Sequence, residues 1–150
     1  MSSVSNSLNF MYNMEQFATQ IYLVQKEAFV GSDVVDKLTA ASANEQTHVD
    51  ILRAQLLELK IAPSWLGFLF KAAATLSGTA TVIMGKSTVL KAAIFVEKRA
   101  IKDYGNHLKQ INYDEKTVAL LKRIIADEEI HVETWQKALA ALKGNQKPAA

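Results

Sequence analysis

Four segments of this chain carry apolar residues at helical spacing, and each interrupts its apolar stripe with a glutamate. In the first, Leu8, Met11, Ala18 and Phe29 share a line with Glu15. In the second, Leu38, Ala41, Leu52 and Leu59 share one with Glu45 and His48. The third places Glu97 among Leu90, Ala93, Ala100 and Ile111. The fourth places Glu128 and His131 among Leu121, Ile124, Trp135, Ala138 and Leu142. Glu129 and Glu133 fall off that last stripe and are expected in solvent. An unpaired ionised carboxylate in a core costs several kcal/mol. Four of them would exceed the roughly 5–15 kcal/mol that holds an ordinary domain together. Whatever fold the chain adopts must bring these groups to a common partner.

The punctuation divides the chain into long helices. The first is expected from Asn6 to Val30, stopping at Gly31-Ser32, and the second from Asp33 to Lys60, ahead of Pro63. A third is expected from Ser87, after Gly85, to Ile111, and the last from the turn "NYD" to just before Gly144. The segment between the second and third, about residues 61–86, is apolar and expected to be helical in its first part. The halves repeat: Glu15 to Glu45 spans 30 residues and Glu97 to Glu128 spans 31. Each second glutamate opens a Glu-x-x-His, "EQTH" and "EEIH", and Tyr22 and Tyr104 each follow the first glutamate of their half by seven. Two helical hairpins joined by one long crossover make an all-α, ferritin-like four-helix bundle. Its length fits a single domain, 1–150, with a flexible tail at 144–150.

Two divalent ions carry the charge that four carboxylates need. Glu-x-x-His sets both side chains on one face of a helical turn, so each motif can grip one ion. The expected ligands are Glu15, Glu45, His48, Glu97, Glu128 and His131. Oxygen and imidazole donors without thiolate favour two iron ions, or manganese, with zinc as an imitator. Ligand imidazoles need their outer nitrogen held. Asp127 and Asn44 each precede a motif glutamate by one residue, so Asp127 is expected on His48 and Asn44 on His131. Tyr22 and Tyr104 lie two turns from their glutamates; they are core residues and the candidates for a catalytic or hydrogen-bonding role. His107 is read as a satisfied core group and not as a ligand.

Other chemistries are excluded. The chain has no cysteine, which removes disulfides, thiolate metal sites and cysteine nucleophiles. Its net charge of +2 hides a basic middle, residues 53–109, with nine Lys or Arg against three acids. No basic stripe interleaved with aromatics accompanies it, so nucleic acid is not an expected partner. "GTATVIMGKST" imitates a phosphate loop, but six residues separate Gly78 from Gly85 where that loop needs four. Lys71 and the Ser, Thr and Gly content argue against a membrane span in the crossover. The start "MSSVSNSLNF" lacks the pattern of a secretory signal, and a cytoplasmic location, peripheral at a membrane, is expected.

The residues resemble a known family. "EQFATQIYLVQ" is similar to the first helix of the demethoxyubiquinone hydroxylases, with its glutamate, alanine, Ile-Tyr and glutamine at matching steps. "GTATVIMGK" with "VEKRAIKDYGNHL" resembles that family's glycine-rich apolar segment and third helix, and "DEEIH" its last motif. The resemblance covers roughly residues 15–140. It implies a di-iron site on the six ligands, O2 activation, hydroxylation of a lipophilic quinone precursor, and association with an anionic membrane face. The electron donor is left unspecified, and a homo-oligomer competes with the membrane for the apolar crossover. The six-ligand pattern is shared with ferritins and rubrerythrins, which gives the alternative of a ferroxidase or peroxide-scavenging protein. Ala100 stands where rubrerythrins carry a second glutamate. Two departures are local: "MYNM" replaces an Asp-His pair ahead of Glu15, and His107 replaces a glutamine.

Overall fold

The computed structural model describes residues 3–144, and among them there is no β-strand. Five helices follow one another: α1 Ser3–Gln25, α2 Val34–Glu58, α3 Gly67–Met84, α4 Lys86–Gln110 and α5 Glu115–Gly144. α1 packs on α2 and α4 on α5, giving two hairpins, while α3 lies along α1 and touches α4. The all-α bundle with its long connection between the second and third bundle helices is the architecture that the repeated spacing predicts. The tail expected to be flexible, 144–150, lies almost wholly outside the described residues; Gly144 itself closes α5.

Helix ends follow local chemistry. α1 stops at Gln25, five residues earlier than its apolar pattern suggests, because Lys26–Phe29 tighten into a 3₁₀ turn. That turn tucks Phe29, 2% exposed, under the bundle and passes the chain to Gly31 at φ +82°. α5 is capped by Asp114, whose carboxylate accepts from the Thr117 amide at 2.7 Å and the Thr117 hydroxyl at 3.0 Å.

The crossover differs from expectation. Its first residues, Ile61–Leu66, are not α-helical, whereas α3 continues through "GTATVIM" to Gly85. Small residues make this possible, since Gly67, Ala74 and Gly78 form the face pressed on α1. A Cβ on Gly78 would meet the Val24 side chain at 3.0 Å. Hydrogen bonds from Gln20 to Thr75 (3.2 Å) and from Gln25 to Thr81 (3.1 Å) stitch the two helices together. Gly85, at φ +99°, then breaks the chain between α3 and α4. By length and composition, Gly67–Met84 is apolar enough to cross a membrane, with a mean hydropathy of 1.3. The structure lays it against the bundle by its small-residue face and leaves Leu76, Ile83 and Met84 exposed.

Two apolar clusters fill the bundle. One gathers Tyr22, Phe29, Leu38, Leu90 and Trp135, and the other Leu8, Met11, Leu52, Leu56, Leu121 and Ile124. The polar groups of the four stripes lie between them. His107 is half-buried, stacked on Phe10 at 5.8 Å and hydrogen-bonded to Ser7, as its reading as a satisfied group requires.

Candidate metal centre

Glu15, Glu45, Glu97 and Glu128 are each at most 2% exposed, with His48 at 1% and His131 at 8%. Their positions follow from helix geometry: a glutamate on each bundle helix faces inward, and the histidine one turn on shares its face. The side chains meet as two groups, Glu15, Glu45, His48, Glu128 and Glu45, Glu97, Glu128, His131, each able to converge on one ion. Glu45 and Glu128 belong to both. His48 Nδ1 lies 3.2, 3.3 and 3.5 Å from oxygens of Glu45, Glu128 and Glu15. His131 Nδ1 lies 3.0, 3.2 and 3.3 Å from oxygens of Glu45, Glu128 and Glu97. Donors about 2.1 Å from an ion at octahedral angles stand about 3 Å apart. The spacing is that of a ligand shell.

Without an ion, protons balance the cluster. Burial alone would lower the His131 pKa, but the adjacent carboxylates of Glu128, Glu45 and Glu97 overcome it and push it up to about 12. His48 is raised in the same way, against burial, by Glu128, Glu15 and Glu45. Burial and then the Glu128 charge push the Glu97 carboxyl up to about 8. Glu45 rises for the same two reasons. Glu128 goes the other way: burial opposes its charge, but His131 and His48 hold it down at about 2. Two buried oxygens, Glu45 Oε1 and Glu128 Oε1, accept no hydrogen bond. They lie 3.0 and 3.3 Å from the His131 and His48 nitrogens but not in hydrogen-bonding geometry. Orphaned acceptors in a buried cluster fit a cation better than a proton.

Around the cluster, each tyrosine serves the other hairpin: Tyr22 donates to Glu97 and Tyr104 to Glu15. Burial and the adjacent carboxylate charges raise both phenols well above their ordinary range, so they stay protonated donors. Trp135 Nε1 donates to Tyr22 at 3.1 Å, a contact that the stripe pattern alone does not signal. Asp127 reaches His48 Nε2 at 3.1 Å, as expected. The matching expectation for Asn44 fails. Asn44 is half-buried on the wall of a cavity of about 390 Å³ between α2 and α5, and no hydrogen bond joins it to His131. A second cavity, about 460 Å³, lies between α1 and the Ala62–Leu66 segment. Trp65 and Phe10 line it, and Phe68 stacks on Trp65 at 5.8 Å.

An all-α bundle of two hairpins with a buried, metal-capable carboxylate–imidazole cluster is a ferritin-like protein. Within that class, the family model described as "Ubiquinone biosynthesis protein COQ7" matches residues 13–148, and the chain belongs to this family. It is 26% identical over 136 residues to a 3-demethoxyubiquinol 3-hydroxylase of Legionella pneumophila strain Paris, covering 90% of this chain and 64% of that protein. The protein of the same name in strain Lens is 28% identical over 106 residues, 70% of this chain and 50% of the relative. The chain thus spans between half and just under two thirds of the length of these relatives.

Proposed function

We propose that this protein is an oxidoreductase with two iron ions that hydroxylates a lipophilic quinol-type substrate with O2. The observation that carries the reading is the paired cluster of Glu15, Glu45, His48, Glu97, Glu128 and His131 within a chain of this family. Glu15, Glu45, His48 and Glu128 would hold one ion, and Glu45, Glu97, Glu128 and His131 the other. When bound, the iron pair supplies the O2 chemistry. The remaining work belongs to the chain's own groups. Tyr22 and Tyr104 hold their protons and fix which oxygen of Glu97 and Glu15 is free to ligate. Asp127 holds the outer nitrogen of His48 and with it the ring's orientation. The two apolar clusters keep bulk water from the glutamates. Electrons must come from a donor that binds from outside.

The substrate class rests on the names of the relatives and on the exposed face of α3 and the turn that leads into it. Trp65 (77% exposed), Leu76 (75%) and Ile83 (80%) present an apolar surface with Lys60, Lys71, Lys86 and Lys91 in the surrounding sequence. Apolar residues with nearby lysines suit a helix resting on anionic headgroups, from which a lipid-soluble ring can be drawn without crossing water. Wild-type protein should float with anionic vesicles at low salt and be released by salt. Trp65→Ala and Lys71→Glu should weaken flotation. If they break an oligomer instead, with lipid binding unchanged, the face is a subunit contact. For the reaction, iron-loaded protein with O2, a chemical reductant and a demethoxyquinol should incorporate one oxygen atom into the ring. Iron oxidation without organic product would replace the hydroxylase reading by that of a ferroxidase.

A further inference from the structure

The repeat makes a demand that the structure does not meet evenly. Asp127 and Asn44 occupy equivalent places, one residue ahead of Glu128 and Glu45. Asp127 crosses to the opposite hairpin and bonds His48 Nε2 at 3.1 Å. Asn44 makes no such bond, so among the described residues nothing holds the outer nitrogen of His131. The exposure of the rings follows: the His48 side chain is 1% exposed and that of His131 is 11%. His131 also lines the α2–α5 cavity, whose wall carries Asn44, Thr134 and the Asp127 carboxylate, 30% exposed. One half of the cluster is sealed and braced, while the other opens onto a cavity whose largely apolar wall carries a few polar groups beside the ring.

A carboxylate on the outer nitrogen fixes an imidazole's tautomer and ring plane and raises its basicity as a ligand, typically by about 10–100-fold in metal affinity. An unbraced ring at a water-accessible wall has neither advantage, and its ion has a short path to solvent. From this asymmetry, which rests on the dinuclear reading above, we infer that the two ion positions are inequivalent. The position of Glu15 and His48 fills first and retains its ion. The position of Glu97 and His131 fills second and exchanges its ion through the α2–α5 cavity. Asp127 is therefore a positioning residue for the first ion and a polar contact at the doorway of the second.

The test is a manganese titration of the metal-free full chain, followed by electron paramagnetic resonance. A mononuclear manganese signal should grow to one equivalent and then give way to a coupled signal, the second ion binding at least about 10-fold more weakly. Asp127→Ala should weaken the first step by about 10–100-fold and merge the two steps. His131→Gln should keep one tight ion, and His48→Gln should lose it. In a chelator chase, Ala40→Leu, which fills the exposed cavity wall, should slow release of the second ion severalfold and leave the first unchanged. A coupled signal from the first additions, or an Asp127→Ala effect confined to the second ion, overturns the inference and leaves the dinuclear reading intact. A chain that binds no manganese at all overturns both.

Discussion

The two hairpins are built to one plan but are not equally finished. Each supplies two glutamates, a histidine and a tyrosine, and each tyrosine bonds a glutamate of the other hairpin. The α4–α5 hairpin also supplies the two extra groups, Asp127 for His48 and Trp135 for Tyr22. The α1–α2 hairpin offers Asn44 in the place of Asp127 and makes no return bond. A repeated motif thus specifies where the carboxylates and imidazoles go. The surroundings of each copy decide how firmly they are held.

The largest effect should come from breaking what the halves share. Glu128 is the anion that both imidazolium rings pair with, so Glu128→Ala leaves two buried cations short of a partner. The metal-free fold should lose about 3–5 kcal/mol, read by denaturant unfolding. Glu45→Gln should cost much less in the same assay, because burial already favours the uncharged form of Glu45. Both variants should lose dinuclear metal binding. Equal stability losses would contradict the electrostatic account of the cluster.

pH sharpens the comparison between the proton-balanced and metal-balanced states. The folded pKa values of His48 and His131 lie above the ordinary 6.5, so their stabilising contribution is complete below that value. It is lost as pH rises, through about 12 for His131. Glu97, raised from 4.5 to about 8, acts in the same direction, so the metal-free fold weakens as pH climbs from 4.5 towards 8. A ligating nitrogen must give up its proton, so metal affinity changes the opposite way and increases with pH. The rise in melting temperature on adding manganese should therefore grow from pH 6 to pH 8, and titrations in different buffers should show proton release.

A smaller effect separates the tyrosines. Tyr22→Phe removes the phenol donor from Glu97, leaving that oxygen only His131 Nδ1 at 3.3 Å, and strands the Trp135 indole N–H, whereas Tyr104→Phe removes only the donor to Glu15. Each orphaned buried group costs about 1–3 kcal/mol, so thermal unfolding should fall further for Tyr22→Phe. Outside the bundle, Gly78→Leu should loosen α3 from Val24 with the metal site unchanged, read as proteolysis within residues 67–84.

These differences explain what the sequence could disclose. The buried Glu/His cluster is legible because a glutamate on an apolar stripe violates helical amphipathicity, and four violations at matched spacing form a pattern. The Asp127–His48 bond was legible because it sits one residue from a motif and obeys the repeat. Asn44 does not follow the same rule: it lies on the cavity wall without a bond to His131, and the sequence repeat alone gives no sign of this. Trp135 gave no signal of its polar contact, since an indole on an apolar stripe already satisfies the pattern. The sequence understates α3 because Ser, Thr and Gly lower helix propensity. The face of Gly67, Ala74 and Gly78 against α1 rewards the same small residues with close packing.

Elemental analysis of the full chain, after reconstitution with iron or manganese and removal of loose ions, tests the central claim most directly. Four buried carboxylates and two imidazoles in shared groups predict two ions per chain. A metal-free chain that resists reconstitution while remaining folded would contradict it.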